Sequence, residues 1–210
     1  RQTGYPVISV SQSMRIISLY VDGKRHVLEP SESILASANQ ALSALERYKA
    51  RLDQTSAGLD SLEIEDLVTV RDVTSVLQLM EMVRRISADI DSYVLELGTD
   101  GRLLALQVEE LTRGLLAEHG FLLEDYLPEG LDTTTVDARL KWVGSPALLD
   151  LAMVARSMGL GGIDGQDLDA QVSPRGLRIL SKIPRLPVVT ARAVVEQWGS
   201  LQGVLGATIE

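Results

Sequence analysis

The first thirty residues carry the hydrophobic pattern of β-strands. Val7, Ile8 and Val10 form a short apolar run, and a longer β-branched and aromatic run follows over residues 16–21. Asp22-Gly23 is a strong hairpin signal before a third short run at 25–28. Nearly continuous apolar runs suit strands covered on both faces, yet nothing before residue 31 supplies covering helices. We therefore expect residues 1–30 to be the last strands of a larger α/β domain.

The pattern turns helical at Ser31, a plausible N-cap after Pro30, and stays helical to about Tyr126. A second periodic run covers residues 73–97 with Gly98 as its stop, and a third covers 102–119 with Gly120 beyond it. These runs predict a helical bundle over 31–132, a spacer or assembly element rather than a catalytic one. The first helix shows the three-to-four-residue spacing most clearly, at Ile34, Ala38, Leu42, Leu45, Tyr48 and Leu52.

Residues 133–210 contain shorter helical patterns with clear punctuation. Ser145-Pro146 and Ser173-Pro174 both resemble helix starts, with serine as the cap and proline in the first turn. The second start leads into "ILSKIPRLPVVTARAVVEQWGS", in which two prolines bracket a tight turn and Gly199 ends the following helix. This stretch predicts a helix, a short hairpin turn and a second helix.

Composition narrows the class of protein without fixing the number of domains. With 210 residues, 45% of them hydrophobic, the chain can bury one large core or two modest ones. It has no cysteine, which excludes disulfides, thiolate zinc sites and cysteine nucleophiles. No apolar stretch approaches the roughly 20 residues that span a bilayer, so we expect no membrane association and an intracellular, cytoplasmic address. The start at Arg1 inside a strand pattern and the end at "GATIE", a helix beginning, suggest a chain cut at both ends.

Charge is unevenly distributed. The net charge is −9, but residues 171–210 carry five basic and two acidic side chains, a balance of +3 that leaves −12 for the rest. Salt screens charges separated by more than about 10 Å, so a basic tip held away from an acidic body still attracts phosphate. The acidic whole therefore does not exclude nucleic acid as a partner.

The hairpin is the strongest candidate binding site. A helix start presents N–H groups without acceptors and a partial positive charge, which together suit a phosphate oxygen. The alternative, a plain helical hairpin with a solvated basic face, remains open on these residues alone. The predicted DNA-binding set combines three amides with three cations: Val188, Val189, Thr190, Lys182, Arg185 and Arg192.

Other polar groups are weaker candidates. His26 and His119 have no second ligand at metal spacing, and "DGQDLD" at 164–169 lacks the ligand pattern of a calcium loop. Ser9, Ser11 and Ser13 alternate at a strand end, where open α/β sheets place ligands, although a polar strand end that satisfies its own turn is the simpler interpretation. No catalytic residue is predicted, since the chain has no glycine-rich phosphate loop, serine elbow or paired catalytic carboxylates. The remaining acidic pairs are interpreted as solvated helix faces: Glu63, Glu65 and Asp66, and Glu109 and Glu110.

Taken in order, "RQTGYPVISVSQSMRIISLYVDGKRHVLEP", "ILASANQALSALERYKARLDQ", "VTVRDVTSVLQLMEMVRRI" and "LSKIPRLPVVTARAVVEQWGSLQGVLGAT" resemble the bacterial DNA integrity scanning diadenylate cyclases. In that family an N-terminal domain condenses two ATP into cyclic di-AMP with a divalent metal, Mg²⁺ or Mn²⁺. A helical linker and a C-terminal helix-hairpin-helix domain follow, the latter binding branched DNA, and the protein forms octamers through its cyclase domains. The resemblance implies a mainly α chain with a small α/β remnant: a truncated cyclase sheet, a linker bundle and, over 133–210, a partial helix-hairpin-helix domain.

The resemblance also limits what this chain is expected to do. The family's Asp-Gly-Ala and Arg-His-Arg motifs, which hold ATP and metal, are absent from this sequence, so we expect no metal binding and no cyclic di-AMP synthesis by this chain alone. By its match, Ser11 is the candidate nucleotide contact. The family's second hairpin is missing, and the turn "IPRLP" has prolines where glycines are typical, so Arg185 is expected to act as a charge. The rival interpretation is a non-enzymatic helical scaffold whose hairpin binds protein.

Overall fold

The computed structural model describes residues 5–11, 16–162 and 167–207, which form a mainly helical structure with one small sheet. The predicted strands are confirmed as β1 (Val7–Ser11), β2 (Ile16–Val21) and β3 (Lys24–Leu28), antiparallel in the order β1-β2-β3. Asp22 and Gly23 connect β2 to β3 with φ of 48° and 75°, as a two-residue hairpin requires. Ile8 and Val10 are 68% and 65% exposed.

The outer strands of this sheet are exposed on both faces in the described part of the chain. Successive strand residues point to opposite faces, and the neighbouring Val7 and Ile8 are both exposed. An uncovered apolar sheet is what the expectation of a larger α/β domain requires, and that assignment stays a prediction.

Two long helices follow, α1 (Ser31–Glu65) and α2 (Val70–Leu97), packed on each other. The N-cap prediction for Ser31 was wrong by one position: the Pro30 carbonyl accepts from the N–H groups of Ser33 and Ile34, so helical bonding begins at Pro30. The predicted stop at Gly98 is confirmed.

The third predicted helix is two helices, α3 (Arg102–Thr112) and α4 (Leu115–Tyr126). Arg113 is extended at ψ 127° and Gly114 takes φ 80°, which breaks the helix before Leu115. The predicted stop at Gly120 was wrong, because α4 continues through it to bury Leu122 and Leu123.

Six shorter helices complete the described fold. Gly144 is the N-cap of the second of them, so Ser145 is its first residue and not its cap. The predicted Ser173-Pro174 start was also wrong, since that helix begins at Leu177, where another residue supplies the capping acceptor. The six are α5 (Thr133–Trp142), α6 (Ser145–Leu148), α7 (Leu151–Met158), α8 (Leu177–Ser181), α9 (Val188–Trp198) and α10 (Leu201–Leu205).

One large core joins α1–α7, and a smaller core lies under the C-terminal helices. The small core consists of Leu177, Leu180 and Ala191, with Phe121 of α4 packed against it. The segment before α8 pairs with the loop between α1 and α2, where Thr69 bridges Gln171 and the Val172 N–H donates to the Val68 carbonyl. None of the described helices is long and apolar enough to cross a membrane.

Candidate nucleic-acid interface

The predicted helix-turn-helix hairpin is present, with α8 and α9 joined by the turn at residues 182–187. Arg185 lies at the middle of this turn with φ 69°, a left-handed conformation that is uncommon outside glycine. The Leu186 N–H donates to the Ile183 carbonyl at 3.2 Å and closes the turn. The backbone therefore holds Arg185 at an exposed tip.

The start of α9 offers the three predicted amides. Pro187 flanks the helix, and its carbonyl accepts from the Ala191 N–H at 3.0 Å. The N–H groups of Val188, Val189 and Thr190 belong to the first turn, which has no helical acceptor for them. Val189 and Thr190 are exposed, so these amides lie at the surface beside the turn.

Two of the three predicted cations are paired with acidic side chains of the bundle. Lys182 Nζ lies 2.7 and 2.6 Å from the two carboxylate oxygens of Asp60. Arg192 holds Glu124 through Nε at 3.0 Å and Nη2 at 2.8 Å. The expectation of a basic tip held away from the acidic body is therefore not met at these residues. Arg185 has no ion pair with any residue in the described part of the chain, so it is the uncompensated charge of the set.

A buried ionic cluster fixes α8 to α1 and α4. The Arg178 guanidinium is fully buried and donates to Glu63, also fully buried, through Nε at 3.0 Å and Nη2 at 2.7 Å. Arg178 also contacts Asp60 and donates to Ser56 Oγ at 3.1 Å. The Tyr126 hydroxyl donates to Glu63 at 2.7 Å. We call these five residues, Ser56, Asp60, Glu63, Tyr126 and Arg178, the Arg178 joint.

The interpretation of Glu63 as a solvated acid was wrong, and the sequence held a signal against it. Leu52, Ser56, Leu59 and Glu63 follow one another at four, three and four residues, so Glu63 continues the buried stripe of α1. An acid on a buried stripe requires a buried cation. Its partner is 115 residues away in the chain, which helical periodicity does not identify.

The electrostatics of the joint favour the charged pair. Burial works against the charged guanidinium, but the hydrogen bonds and attraction of Glu63, with Asp60 beyond, hold the pKa of Arg178 above its ordinary value. Burial, together with the Glu63 charge, raises the pKa of Tyr126, which keeps its hydroxyl a donor. Breaking one side of such a pair is costly because the other charge stays buried.

Asp125 caps α8 from a different helix. Its Oδ1 accepts from the Gly176 and Leu177 N–H groups at 3.0 and 2.7 Å, and its Oδ2 accepts from the Arg178 N–H at 2.8 Å. This carboxylate supplies the acceptors that the sequence assigned to Ser173. Burial raises the pKa of Asp125 to about 6, although the three N–H donors oppose that shift.

The remaining candidates lie apart from the hairpin. Ser11 ends β1 and pairs with Ile16, while Ser13 and residues 164–166 of "DGQDLD" lie outside the described residues. His26 is exposed on β3, and His119 Nε2 lies 3.6 Å from an Asp137 oxygen. Among the described residues, no group of three or more histidine or acidic side chains could hold a metal ion.

The length of α1 sets the distance between the sheet and the hairpin. Ser31 follows β3 closely, and Glu63 belongs to the last turn of the same helix. At 1.5 Å per residue the intervening helix is about 50 Å long. The Arg178 joint therefore connects the hairpin to the far end of a helix that begins beside the sheet.

Comparison with known proteins decides the family. Residues 28–166 match the family described as the DisA bacterial checkpoint controller linker region. The chain belongs to the DisA family. Relatives named DNA integrity scanning protein DisA are 55% identical in Acidothermus cellulolyticus, 54% in Streptomyces coelicolor and 53% in Streptomyces griseus. These matches cover 100%, 100% and 99% of this chain and 58%, 57% and 56% of the respective DisA relatives. The chain thus spans less than two thirds of the length of these DisA proteins.

Proposed function

We propose that this chain is the linker and hairpin portion of a diadenylate cyclase that binds branched DNA. The observation that carries the proposal is the hairpin tip, where the uncompensated Arg185 lies beside the exposed first turn of α9. Cations and helix-start amides bind phosphate without reading base sequence. A family whose members are named for scanning DNA integrity supports such sequence-independent contact.

Within this proposal the hairpin contacts DNA through unequal contributions. Arg185 supplies charge, and the amides of Val188, Val189 and Thr190 supply directed donors. Lys182 and Arg192 contribute less than their charge suggests, because each already holds a carboxylate of the bundle.

The sheet belongs, in this proposal, to the cyclase domain that condenses two ATP into cyclic di-AMP. Its exposed apolar faces are the surfaces that the rest of such a domain would cover, and Ser11 at the end of β1 is the candidate nucleotide contact. Among the described residues, no cluster of ligands could hold the divalent metal, Mg²⁺ or Mn²⁺, that the proposed cyclase uses. Assembly into an octamer and a cytoplasmic address complete the proposal.

Coupling between DNA and the cyclase would pass along α1. DNA bound at the hairpin shifts the enzyme only if it binds two arrangements of the linker with different affinity. The Arg178 joint and the Asp125 cap fix α8 to α1 and α4, so a displacement of the hairpin is resisted by the bundle. Condensation of two ATP requires two nucleotide sites that face each other. Because α1 starts next to the sheet of the proposed cyclase domain, a displacement of α1 would alter how those sites face each other.

Salt dependence tests the proposed DNA contact. We expect the 210-residue chain to bind a labelled four-way junction, with a dissociation constant that rises steeply as salt increases, because phosphate contacts release counterions. Fluorescence anisotropy between 50 and 200 mM salt measures it. No junction binding at the lowest salt, or binding indifferent to salt, would contradict the proposal.

A protein-binding hairpin is the second candidate. Val189 is 79% exposed and Ile183 is 47% exposed, which gives the hairpin an apolar surface next to its cation. A mostly apolar protein interface changes little with salt. The same titration therefore separates the two candidates.

A further inference from the structure

A cavity of about 610 Å³ lies among α2, α3, α4 and α5, away from the hairpin. Organic ligands occupy protein cavities of roughly 300–1,000 Å³ with mainly apolar walls and a few polar groups. The apolar part of this wall comes from Met80, Leu115 and Leu116. Leu116 is 82% exposed at the rim, so the packing of the bundle does not account for its position.

The polar part of the wall contains a buried carboxylate, Glu81, and one of the two arginines that hold it, Arg84. Glu81 is 2% exposed and accepts from Arg84 through Nε and Nη2, both at 2.7 Å, and from Arg85 Nε at 2.6 Å. Arg85 also donates to the Leu140 carbonyl at 2.9 Å, which fixes it behind the wall. Two arginines on one carboxylate leave one unit of positive charge, and the Nη1 of the half-exposed Arg84 donates to no residue in the part of the chain that the structure describes.

The rim adds a cation and a histidine next to an aspartate. Lys141 of α5 is exposed and has no ion pair with any residue of the described ranges. His119 and Asp137 both line the cavity, and His119 Nε2 lies 3.6 Å from Asp137 Oδ1. Glu81 with its two arginines keeps one unit of positive charge, Lys141 adds a second and Asp137 cancels one, so the opening favours a negative group while the interior favours an apolar one.

We infer that this cavity binds a small organic anion, with the apolar body of the ligand against Met80, Leu115 and Leu116 and its acidic group between Arg84 and Lys141. Such a site sits at the break between α3 and α4, where Gly114 takes a left-handed conformation. A ligand there would stabilise the position of α4, which carries both Asp125 and Tyr126. The site rests on the geometry of the bundle and does not depend on DNA binding or cyclase activity.

Two apolar fluorescent probes, one anionic and one neutral, test this site. Anilinonaphthalene sulfonate is an apolar body with one anionic group, and Nile red is a neutral apolar dye. Ala138 lies at the rim and is exposed, so Ala138→Trp should obstruct the opening and weaken both probes about tenfold or more. Lys141→Glu should weaken the sulfonate about fivefold and leave Nile red within about twofold.

Lys24→Glu provides the control, because Lys24 is also exposed and lacks an ion pair among the described residues but belongs to β3. It changes the net charge equally and should leave both titrations as in the unmodified chain. Sulfonate affinity that is unchanged by both Ala138→Trp and Lys141→Glu would overturn the inference and place the probe elsewhere, such as on the exposed sheet. If circular dichroism shows that the Ala138→Trp variant does not fold, the sulfonate affinity of Lys141→Glu compared with that of Lys24→Glu decides whether the probe binds in the cavity.

Discussion

Replacing Arg178 with methionine should separate the hairpin from the bundle. The substitution keeps an unbranched apolar side chain in place of the guanidinium but leaves the fully buried Glu63 with the Tyr126 hydroxyl and no cation. Removal of one partner from a buried ion pair costs about 3–5 kcal/mol. The Ser56 hydroxyl and Asp60 lose a donor as well, which places the cost within that range and not below it.

Two measurements report this loss. Urea unfolding followed by far-ultraviolet circular dichroism gives the free energy of unfolding. Hydrogen exchange at the amides of α9 reports local opening, and a loss of 3 kcal/mol corresponds to more than a hundredfold faster exchange where every 1.4 kcal/mol is about tenfold. Exchange in the middle of α2, which the joint does not touch, should change much less.

The double variant Arg178→Met with Glu63→Met separates pairing from packing. Replacing both charges by apolar groups of similar volume is often neutral, so most of the lost stability should return. Glu65→Gln is the matched control, since Glu65 is exposed two residues further along the same helix and should cost less than about 0.5 kcal/mol. The reasoning fails if Arg178→Met costs under about 1 kcal/mol, or if the two methionine substitutions simply add.

Three further predictions concern the cap, two glycines and the coupling. Because burial raises the pKa of Asp125 to about 6 from an ordinary value near 4, its contribution to the free energy of unfolding falls as pH rises from about 4 to about 6. The stability of the unmodified chain relative to Asp125→Asn should therefore decline by about 2 kcal/mol between about pH 4 and about pH 6 in urea titrations. A relative stability that rises instead would mean that the three N–H bonds dominate. Gly176→Ala should lower the free energy of unfolding by about 2 kcal/mol, because φ is 110° there and a Cβ would lie 3.2 Å from Leu201. Gly58→Ala inside α1 should raise it by about 1 kcal/mol, because the added Cβ meets nothing within 4 Å. Thermal unfolding measures both, and equal effects would refute this reasoning. In the intact protein, if it is the proposed diadenylate cyclase, saturating junction DNA should change the rate of cyclic di-AMP formation about fivefold or more, and Arg178→Met should reduce that change. Equal rates with and without DNA would contradict the coupling.

Local patterns predicted the elements whose causes are local. The Asp22-Gly23 turn, the stripe that defines α1 and the Gly98 stop depend on residues a few positions apart. The break at Gly114 was missed because Gly120, a second glycine six residues on, looked like the better stop. The helix continues through Gly120 because Leu122 and Leu123 beyond it are buried, which the local pattern does not indicate.

The sequence predicted the backbone shape of the candidate site but not which of its cations are paired with acidic side chains. The hairpin, its two helices and the Gly199 end follow from proline and glycine positions. The pairing of Lys182 with Asp60 and of Arg192 with Glu124 links residues 122 and 68 positions apart, which a charge count along the chain does not reveal. Arg185 emerges as the exposed cation only after those partners are located.

The affinity for junction DNA after Arg185→Gln tests the central claim most directly. Loss of one phosphate contact should raise the dissociation constant about threefold at 100 mM salt, equally for unrelated sequences, and reduce the salt slope by about 0.9. Arg47 is an exposed arginine of α1 that has no ion pair among the described residues, so Arg47→Gln should change neither the dissociation constant nor the salt slope. An Arg185 variant that binds junction DNA with the same affinity and salt slope as the Arg47 variant would contradict the account.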